Sequence, residues 1–244
     1  MRVPRIYTDQ SLGTERVIEL EPSASAHIAR AMRMRAGDLL TLFNGTGGEY
    51  GATIVHAASK TVQVRVGEYR AIELESSLGV HLGIALSRGE RMDWIVQKAT
   101  ELGVSSITPL VTARVEVKLK GDRAAKKRLH WQRIAVSACE QCGRNQLPQV
   151  NPLLALAPWL TSADGDCKWV LHHRATAQAT HTQRPNSVDL LVGPEGGLSQ
   201  EEIKLATESN FIPSTFGPRV MRTETAPVAC LSILQWLWGA FQSL

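Results

Sequence analysis

Two glycine-containing loops in the last quarter of the chain constrain its fold more than any other sequence feature. The first loop, residues 193–198, follows an apolar run at 190–192, and the second, residues 217–226, follows another at 211–216. Each loop precedes a segment with helical spacing. In an open α/β sheet, ligands bind beyond the carboxyl ends of the strands, where such loops lie. Because glycine lets the backbone approach a bound molecule closely, the two loops together predict one small-molecule site.

Neither loop has the spacing of a phosphate-binding nucleotide motif. The P-loop pattern GxxxxGK[ST] and the Rossmann pattern GxGxxG are both absent from the sequence. A nucleoside ligand with few or no phosphates would explain glycine loops without those patterns, and S-adenosylmethionine is such a ligand. For either loop taken alone, a purely structural turn is the alternative.

Strand-like and helix-like segments alternate from His81 onward, which predicts an α/β domain with a mainly parallel sheet. Helical spacing indicates helices at 89–102 and 122–142, and Ser199 with Glu202 forms a capping-box pattern at the start of another. Short apolar runs predict the strands, at 81–86, 106–111, 168–171, 188–192 and 211–216.

The first seventy residues have a different pattern. A single helix is indicated at 24–34, and a glycine-rich turn at 44–48 predicts a hairpin. The β-prone runs lie at 16–20, 39–43, 50–56 and 61–66. These features predict a small β-barrel with one helix, followed by a polar linker at 73–77. The expected domains are therefore residues 1–72 and 79–244.

Composition favours a globular protein without membrane or disulfide features. Of 244 residues, 43% are hydrophobic, and no signal-peptide pattern begins the sequence. The longest apolar segment, 226–241, is too short and too interrupted to span a bilayer. We therefore expect a cytoplasmic protein. Cys139 and Cys142 form a lone CxxC inside a helical pattern, which favours ordinary helix residues over a zinc or redox site, and no metal is expected.

Positive charge is concentrated in one segment. Residues 113–149 contain nine Lys or Arg against three Asp or Glu, whereas the whole chain has a net charge of +4. This concentration suits a polyanionic partner such as RNA. A solvated basic helix face is the competing interpretation, and the charge alone does not decide between them.

The last helix is expected to begin near residues 223–225, with Pro227 in its first turn. Its apolar residues occupy most of the helix circumference, so it requires burial on more than one side. It is therefore either sandwiched in the core or part of a subunit interface, and we favour the interface.

Residues 193–198 and 217–226 resemble the loops of the SPOUT class of trefoil-knotted methyltransferases. The closest resemblance is to the RsmE family, which methylates N3 of a uridine in 16S ribosomal RNA. Five further segments resemble that family, so the likeness spans nearly the whole chain. These segments are 2–7, 27–38, 87–92, 97–104 and 138–145.

The resemblance implies a PUA-like β-barrel that helps to hold RNA, followed by a SPOUT α/β domain with a trefoil knot. It also implies S-adenosyl-L-methionine as cofactor, a homodimer that completes the site, and 16S rRNA of the small ribosomal subunit as partner. The implied cofactor residues are Leu171, His172, Gly193, Glu195, Gly196, Phe216, Gly217, Val220, Met221, Arg222 and Thr225.

Methylation of a uracil N3 requires alignment and removal of a weakly acidic imide proton, because a sulfonium methyl is already activated. Arg222 is the leading catalytic candidate, since a guanidinium stabilises a developing uracil oxyanion or clamps phosphate. Glu224 is the second candidate: it orients Arg222 or assists proton removal, unless it is only a first-turn carboxylate favoured by the helix dipole. The general base is not assigned.

Several residues are candidates for contact with RNA. They are Arg2, Arg5, Arg88, Lys126, Lys127, Arg144 and Asn145. Two alternatives to the uridine-N3 methyltransferase stay open: another SPOUT-class RNA methyltransferase, or a non-catalytic RNA-binding factor in ribosome assembly.

Overall fold

The computed structural model describes residues 3–117, 119–173, 175 and 184–242. The chain divides into two compact units. The first unit contains Met1–Glu75 and Cys139–Leu147, and the second contains Ser76–Ala138 and Pro148–Leu244. The division after Glu75 falls inside the predicted linker. The short segment Cys139–Leu147 joins the first unit, although sequence alone assigned it to the second domain.

The first unit is built on a five-stranded sheet with the order β1-β3-β4-β5-β2. β1 and β3 are parallel, and the other pairs are antiparallel. The strands are β1 (Arg5–Tyr7), β2 (Val17–Glu19), β3 (Leu39–Phe43), β4 (Glu49–Ala57) and β5 (Val62–Arg70). Alternating side chains such as Leu40, Leu42 and Ile54 fill the core on one face of the sheet.

The helix predicted at 24–34 is shorter and less regular than expected. α1 (Pro22–Ala26) continues into a π-helical turn, His27–Ala31, and Arg33 has a φ of 55°. A left-handed residue ends the helix, because L-residues do not continue an α-helix in that conformation. Ile28 is fully buried and anchors this turn in the core.

A buried polar network holds Cys139–Leu147 in the first unit. Asn145 is fully buried: its Oδ1 accepts from Arg5 Nη2 at 2.6 Å, and its Nδ2 donates to the Ile72 carbonyl at 2.6 Å. Arg144 pairs with Glu75 at 2.8 Å, and Arg5 pairs with Glu49. These side chains are used inside the unit, so the expectation that Arg5, Arg144 and Asn145 face RNA phosphates is revised to a structural role.

The second unit contains a parallel sheet with the order β12-β10-β11-β6-β7-β8, and β9 pairs with β7 beside this path. Every described pairing in it is parallel. The strands are β6 (Gly79–Ala85), β7 (Ser106–Val111), β8 (Gln149–Val150), β9 (Leu154–Ala155), β10 (Cys167–Leu171), β11 (Ser187–Val192) and β12 (Ile212–Ser214).

Five helices accompany these strands in the part of the unit that the structure describes. They are α2 (Arg91–Glu101), α3 (Gly121–Cys142), α4 (Leu156–Ser162), α5 (Gln200–Glu208) and α6 (Thr225–Leu237), and a 3-10 turn follows at Ala240–Gln242. The last turn of α3 belongs to the first unit. Residues of β7, α4, β10, β11 and α5 share one apolar cluster, in which Trp159 and Phe211 are almost fully buried.

Close packing of α4 on the sheet depends on a glycine. A Cβ at Gly83 would lie 2.4 Å from the Trp159 ring, so only glycine lets the indole lie against β6. Trp159 also contacts the rings of His81 and Phe211, at centroid separations of 5.5 Å and 5.4 Å. α4 was not predicted from the sequence, and this contact explains how so short a helix is held.

The Asn145 network yields a test of the structural role. Asn145→Ala removes a buried amide and leaves Arg5 and the Ile72 carbonyl without its hydrogen bonds, so we expect the free energy of unfolding to fall by roughly 1–3 kcal/mol, measured by urea denaturation. Asn186→Ala, at an exposed asparagine, is the control and should unfold like the wild type. Equal stability of the two variants would contradict the structural role.

Candidate functional site

The two glycine loops and the end of β10 lie at one edge of the parallel sheet. β10 lies between β11 and β12. The first glycine loop (residues 193–198) follows β11, and the second (residues 217–226) follows β12 and ends in the first turn of α6. Because these strands are parallel, their carboxyl ends meet at the same edge, which is where ligands bind in such sheets.

A cavity of about 220 Å³ lies between the loops and is called the loop cavity below. Eight of the eleven predicted cofactor residues line it: Leu171, His172, Gly193, Glu195, Gly196, Phe216, Val220 and Met221. A neighbouring cavity of about 370 Å³ shares five lining residues with it, including Arg114 and His172. Together the two volumes fall in the usual range for small-molecule sites.

Three predicted residues are placed elsewhere. Gly217, Arg222 and Thr225 do not line the loop cavity in the described part of the chain. Arg222 is exposed, and its backbone carbonyl accepts from the N–H groups of Thr225 and Ala226 at 2.9 Å and 3.0 Å. In the single chain, Arg222 therefore starts α6 with its backbone and does not direct its side chain into the cavity.

The first glycine loop is tightly folded on itself. A Cβ at Gly193 would lie 3.0 Å from Leu198 Cγ and 3.1 Å from the Leu198 N–H, so a larger residue would displace the loop backbone. The Gly197 N–H donates to the Pro194 carbonyl at 2.8 Å, and Gly197 has a φ of 69°. The predicted capping box is present at the start of α5, where Ser199 and Glu202 exchange hydrogen bonds.

Glu195 fixes the first glycine loop to α2 and to the segment before it. Its Oε1 accepts from Arg91 Nη1 at 2.5 Å and from the Arg88 N–H at 3.4 Å. Arg91 Nε also lies 3.7 Å from Glu224 Oε2, so one guanidinium contacts carboxylates beside both loops. This role of Arg91 is not predictable from local sequence, because the arginine and the loop are about a hundred residues apart.

The hydrogen bonds to Glu195 determine its titration. Partial burial raises the pKa of this carboxyl, but hydrogen bonds from its own backbone N–H, Arg91 and the Arg88 N–H outweigh burial and hold the pKa below its ordinary value. With a lowered folded-state pKa, the pair stabilises the loop at neutral pH. That contribution is lost only as the pH falls through the folded-state pKa, in the acid range.

A larger cleft of about 1550 Å³ adjoins the loop cavity, and we call it the outer cleft. It shares Arg114, Glu195 and Gly196 with the loop cavity. Glu224 and Thr225 also line it, as does Arg88, which forms an ion pair with Glu116. Arg114 is not among the site residues predicted from the sequence. The available signal was its position just after β7, at the same strand edge as the loops.

The remaining RNA candidates fall into two groups. Lys126 and Lys127 are exposed on α3, in the part of the helix that belongs to the second unit. Arg2 lies outside the described residues.

The cysteines are free, and three of them are buried. Burial raises the pKa of the Cys139 thiol to about 12 and that of Cys167 to about 11, so neither is a thiolate at neutral pH.

Within the described ranges, no group of three or more His, Cys, Asp or Glu side chains could hold a metal ion. A search of the same residues finds no helix long and apolar enough to cross a membrane.

Matches to two family models assign the chain to the class of two-domain RNA methyltransferases. Residues 74–235 match the family model of an RNA methyltransferase domain, and residues 20–67 match that of an RNA methyltransferase PUA domain. The chain belongs to the RsmE family, the ribosomal RNA small subunit methyltransferases E.

Relatives in this family cover almost the whole chain. A ribosomal RNA small subunit methyltransferase E of Buchnera aphidicola (from Schizaphis graminum) is 36% identical over 98% of this chain and 98% of the relative. The protein of the same name from Bacillus subtilis is 32% identical over 91% of this chain and 93% of the relative.

Solved structures agree with this assignment. A Legionella pneumophila protein, described as a methyltransferase and solved with bound cofactor SAM, is 41% identical, with a TM-score of 0.95 over 98% of this chain and 99% of that one. The Neisseria gonorrhoeae methyltransferase E bound to S-adenosyl methionine is 33% identical, with a TM-score of 0.93 over 98% and 100%. The expected fold class, a SPOUT α/β domain with a mainly parallel sheet preceded by a PUA-like domain, is confirmed.

The contact between Arg91 and Glu195 can be tested directly. Arg91→Ala should accelerate hydrogen exchange of the amides in residues 194–198 by a few fold, since a half-exposed pair contributes roughly 0.2–1 kcal/mol. Mass spectrometry of the exchanged peptides measures this. Lys98→Ala on the same helix removes a pair with Glu101 and is the control. Equal exchange in both variants would show that Arg91 does not hold the loop.

Proposed function

We propose that this protein transfers the methyl group of S-adenosyl-L-methionine to N3 of a uridine in 16S ribosomal RNA of the small subunit. The loop cavity carries the proposal, because it lies between two glycine loops at the carboxyl edge of the sheet. Its family supports the proposal, since relatives are named for methylation of small-subunit rRNA and two similar structures were solved with S-adenosylmethionine.

The lining of the loop cavity fits this cofactor. Leu171, Leu198, Phe216 and Met221 provide apolar walls suited to an adenine ring. The glycine loops bring backbone groups to the cavity surface, and glycine allows the close approach that a nucleoside requires. When bound, the cofactor supplies a methyl group that its sulfonium has already activated.

The chain's own residues then have two tasks: alignment of the base, and stabilisation of its deprotonated form. Accurate alignment contributes roughly 7–11 kcal/mol in favourable cases. Glu224 lines the outer cleft near Arg91, and in the proposal it orients a cation or accepts a proton there. Arg222 stays our candidate for contact with the uracil oxyanion or a phosphate, reached from the exposed side of the second glycine loop.

RNA is held in this proposal by exposed cations of the second unit. Lys126 and Lys127 on α3 and Arg88 in the outer cleft are exposed and available to phosphates, although Arg88 first has to exchange its partner Glu116. Contacts of this kind make binding depend on salt. A ribosomal substrate places the reaction in the cytoplasm.

A homodimer is part of the proposal. Cys230, Leu231 and Leu234 bury one face of α6, while Trp236 is 61% exposed and Leu237 is 43% exposed. Phe241, just after α6, and Val220, in the second glycine loop, are exposed as well. Exposed apolar groups beside the site are typical of a subunit interface. An isologous interface here would bring a second chain close to Arg222.

The function is tested with labelled S-adenosylmethionine and small-subunit RNA, either naked or in assembled subunits. Digestion and chromatography of the nucleosides should identify N3-methyluridine. Methyl groups found only on carbon-5 or on ribose would refute the N3 assignment, but the protein would still be an RNA methyltransferase. If calorimetry with S-adenosylmethionine detects no binding, the protein is instead a non-catalytic RNA-binding factor.

Arg222→Ala tests the catalytic candidate. We expect the methyl-transfer rate to fall by at least about 10²-fold, the usual effect of removing one oxyanion donor, while the melting temperature stays unchanged because the side chain is exposed. Single-turnover assays and thermal denaturation measure the two quantities. Wild-type rates in this variant would remove Arg222 from the mechanism.

Trp236→Glu tests the dimer. A charge at this exposed tryptophan should shift the sedimenting species from two chains to one, because an unpaired carboxylate in an apolar interface is strongly unfavourable. Leu129→Glu, at an exposed leucine on α3, is the matched control and should leave the mass unchanged. A wild-type protein that sediments as a single chain would exclude the homodimer.

A further inference from the structure

Arg114 lies where the loop cavity meets the outer cleft. It lines both, and it also lines the neighbouring cavity beside α5. Its Nη1 donates to the Gly196 carbonyl at 2.7 Å, and its stem packs on the same glycine, since a Cβ at Gly196 would lie 3.4 Å from Arg114 Cβ. The glycine loop therefore fixes the direction of this side chain.

The charge environment distinguishes Arg114 from the other cations of the outer cleft. Arg88 pairs with Glu116, and Arg91 pairs with Glu195 and lies near Glu224. Across the described residues, Arg114 has no carboxylate within ion-pair distance, and its guanidinium donates to a neutral carbonyl, that of Gly196.

Two other acidic groups do not neutralise Arg114. Its positive charge contributes to the lowered pKa of Glu201, after the hydrogen bonds that this carboxyl accepts from its own backbone and from Ser199, but Glu201 is fully exposed to solvent. Asp93 is bound by His130 and Trp131. A guanidinium has five N–H donors, so Arg114 keeps donors for an anionic acceptor.

We propose that Arg114 is a catalytic residue that binds the anionic form of the target uracil through a carbonyl oxygen beside N3. This inference rests on the proposed function. The imide N–H releases its proton to solvent, and the negative charge spreads over N3 and the two carbonyl oxygens. N3 then bonds to the methyl carbon as the methyl–sulfur bond breaks, and that electron pair stays on sulfur. By stabilising the anion, Arg114 lowers the pKa of the bound imide and raises the reactive fraction.

The position of Arg114 favours this role over two simpler ones. A residue that only held the glycine loop would not need to line the outer cleft, and Arg91 already anchors Glu195 of that loop. If Arg114 bound only the carboxylate of the cofactor, it would need to line only the loop cavity. Arg114 instead reaches the boundary of the two spaces, where the base must meet the methyl group.

Arg114→Ala and Arg114→Lys separate these roles. In Arg114→Ala, kcat at neutral pH should fall about 10²- to 10³-fold, and the deficit should narrow as the pH rises, because hydroxide then deprotonates the imide without help. The dissociation constant of S-adenosylmethionine, measured by calorimetry, should change less than threefold. Arg114→Lys should recover part of kcat, and added guanidinium should partly rescue Arg114→Ala.

Arg184→Ala is the matched control, since Arg184 is an exposed arginine of the same unit with a hydrogen bond to the Ser77 hydroxyl. It should keep wild-type kcat and the wild-type pH profile. A wild-type pH profile in Arg114→Ala would overturn the inference, as would a loss of cofactor affinity that accounts for the whole rate defect. A wild-type protein that methylates no RNA would refute the proposed function itself.

Discussion

The parallel pairing of β11 with β6 on one side and β10 on the other is the constraint on which the site depends. Parallel strands end at one edge, so the segments that follow them are gathered there although they are far apart in sequence. The first glycine loop follows the central strand β11, and its neighbours end in Leu171 and in the segment that carries Arg88. Both the loop cavity and the outer cleft lie along this edge.

The first glycine loop connects the two spaces mechanically. Its backbone forms one wall of the loop cavity, while its outer side is held from the β6 and β7 side of the sheet. Arg91 binds Glu195, Arg114 binds the Gly196 carbonyl, and the Ala113 N–H donates to Glu202 at 2.7 Å. A displacement of this loop therefore changes a wall of the loop cavity and a wall of the outer cleft together, so the shapes of the two spaces depend on each other.

Local patterns were sufficient for the main strands, the long helices and the two loops, because apolar periodicity and glycine content are local properties. β8, β9 and α4 were not predicted, since two-residue strands and a helix of two turns carry too little periodicity. The burial of polar residues could not be predicted from the sequence either. Arg144 and Asn145 are residue types that often contact phosphate, yet here they bind Glu75 and Ile72, about seventy positions earlier in the chain. Arg222 was selected because it lies within a recognisable loop. To predict Arg114 as a site residue, one would need the order of the strands in the sheet, which is a non-local property.

The charges along the outer cleft indicate that the cations which attract RNA differ from the cation which stabilises the base. The described lining carries Arg88, Arg91 and Arg114 against the carboxylates of Glu90, Asp93, Glu116, Glu195 and Glu224. A surface with more acidic than basic groups does not draw a polyanion from solution by itself. Long-range attraction therefore falls to cations such as Lys126 and Lys127 on α3, where salt screens it. Inside the cleft, Arg88 and Arg91 pair with carboxylates, whereas Arg114 has donors available, so an anion formed on the base is drawn to that position. Salt should accordingly weaken the binding of RNA far more than it slows the transfer step.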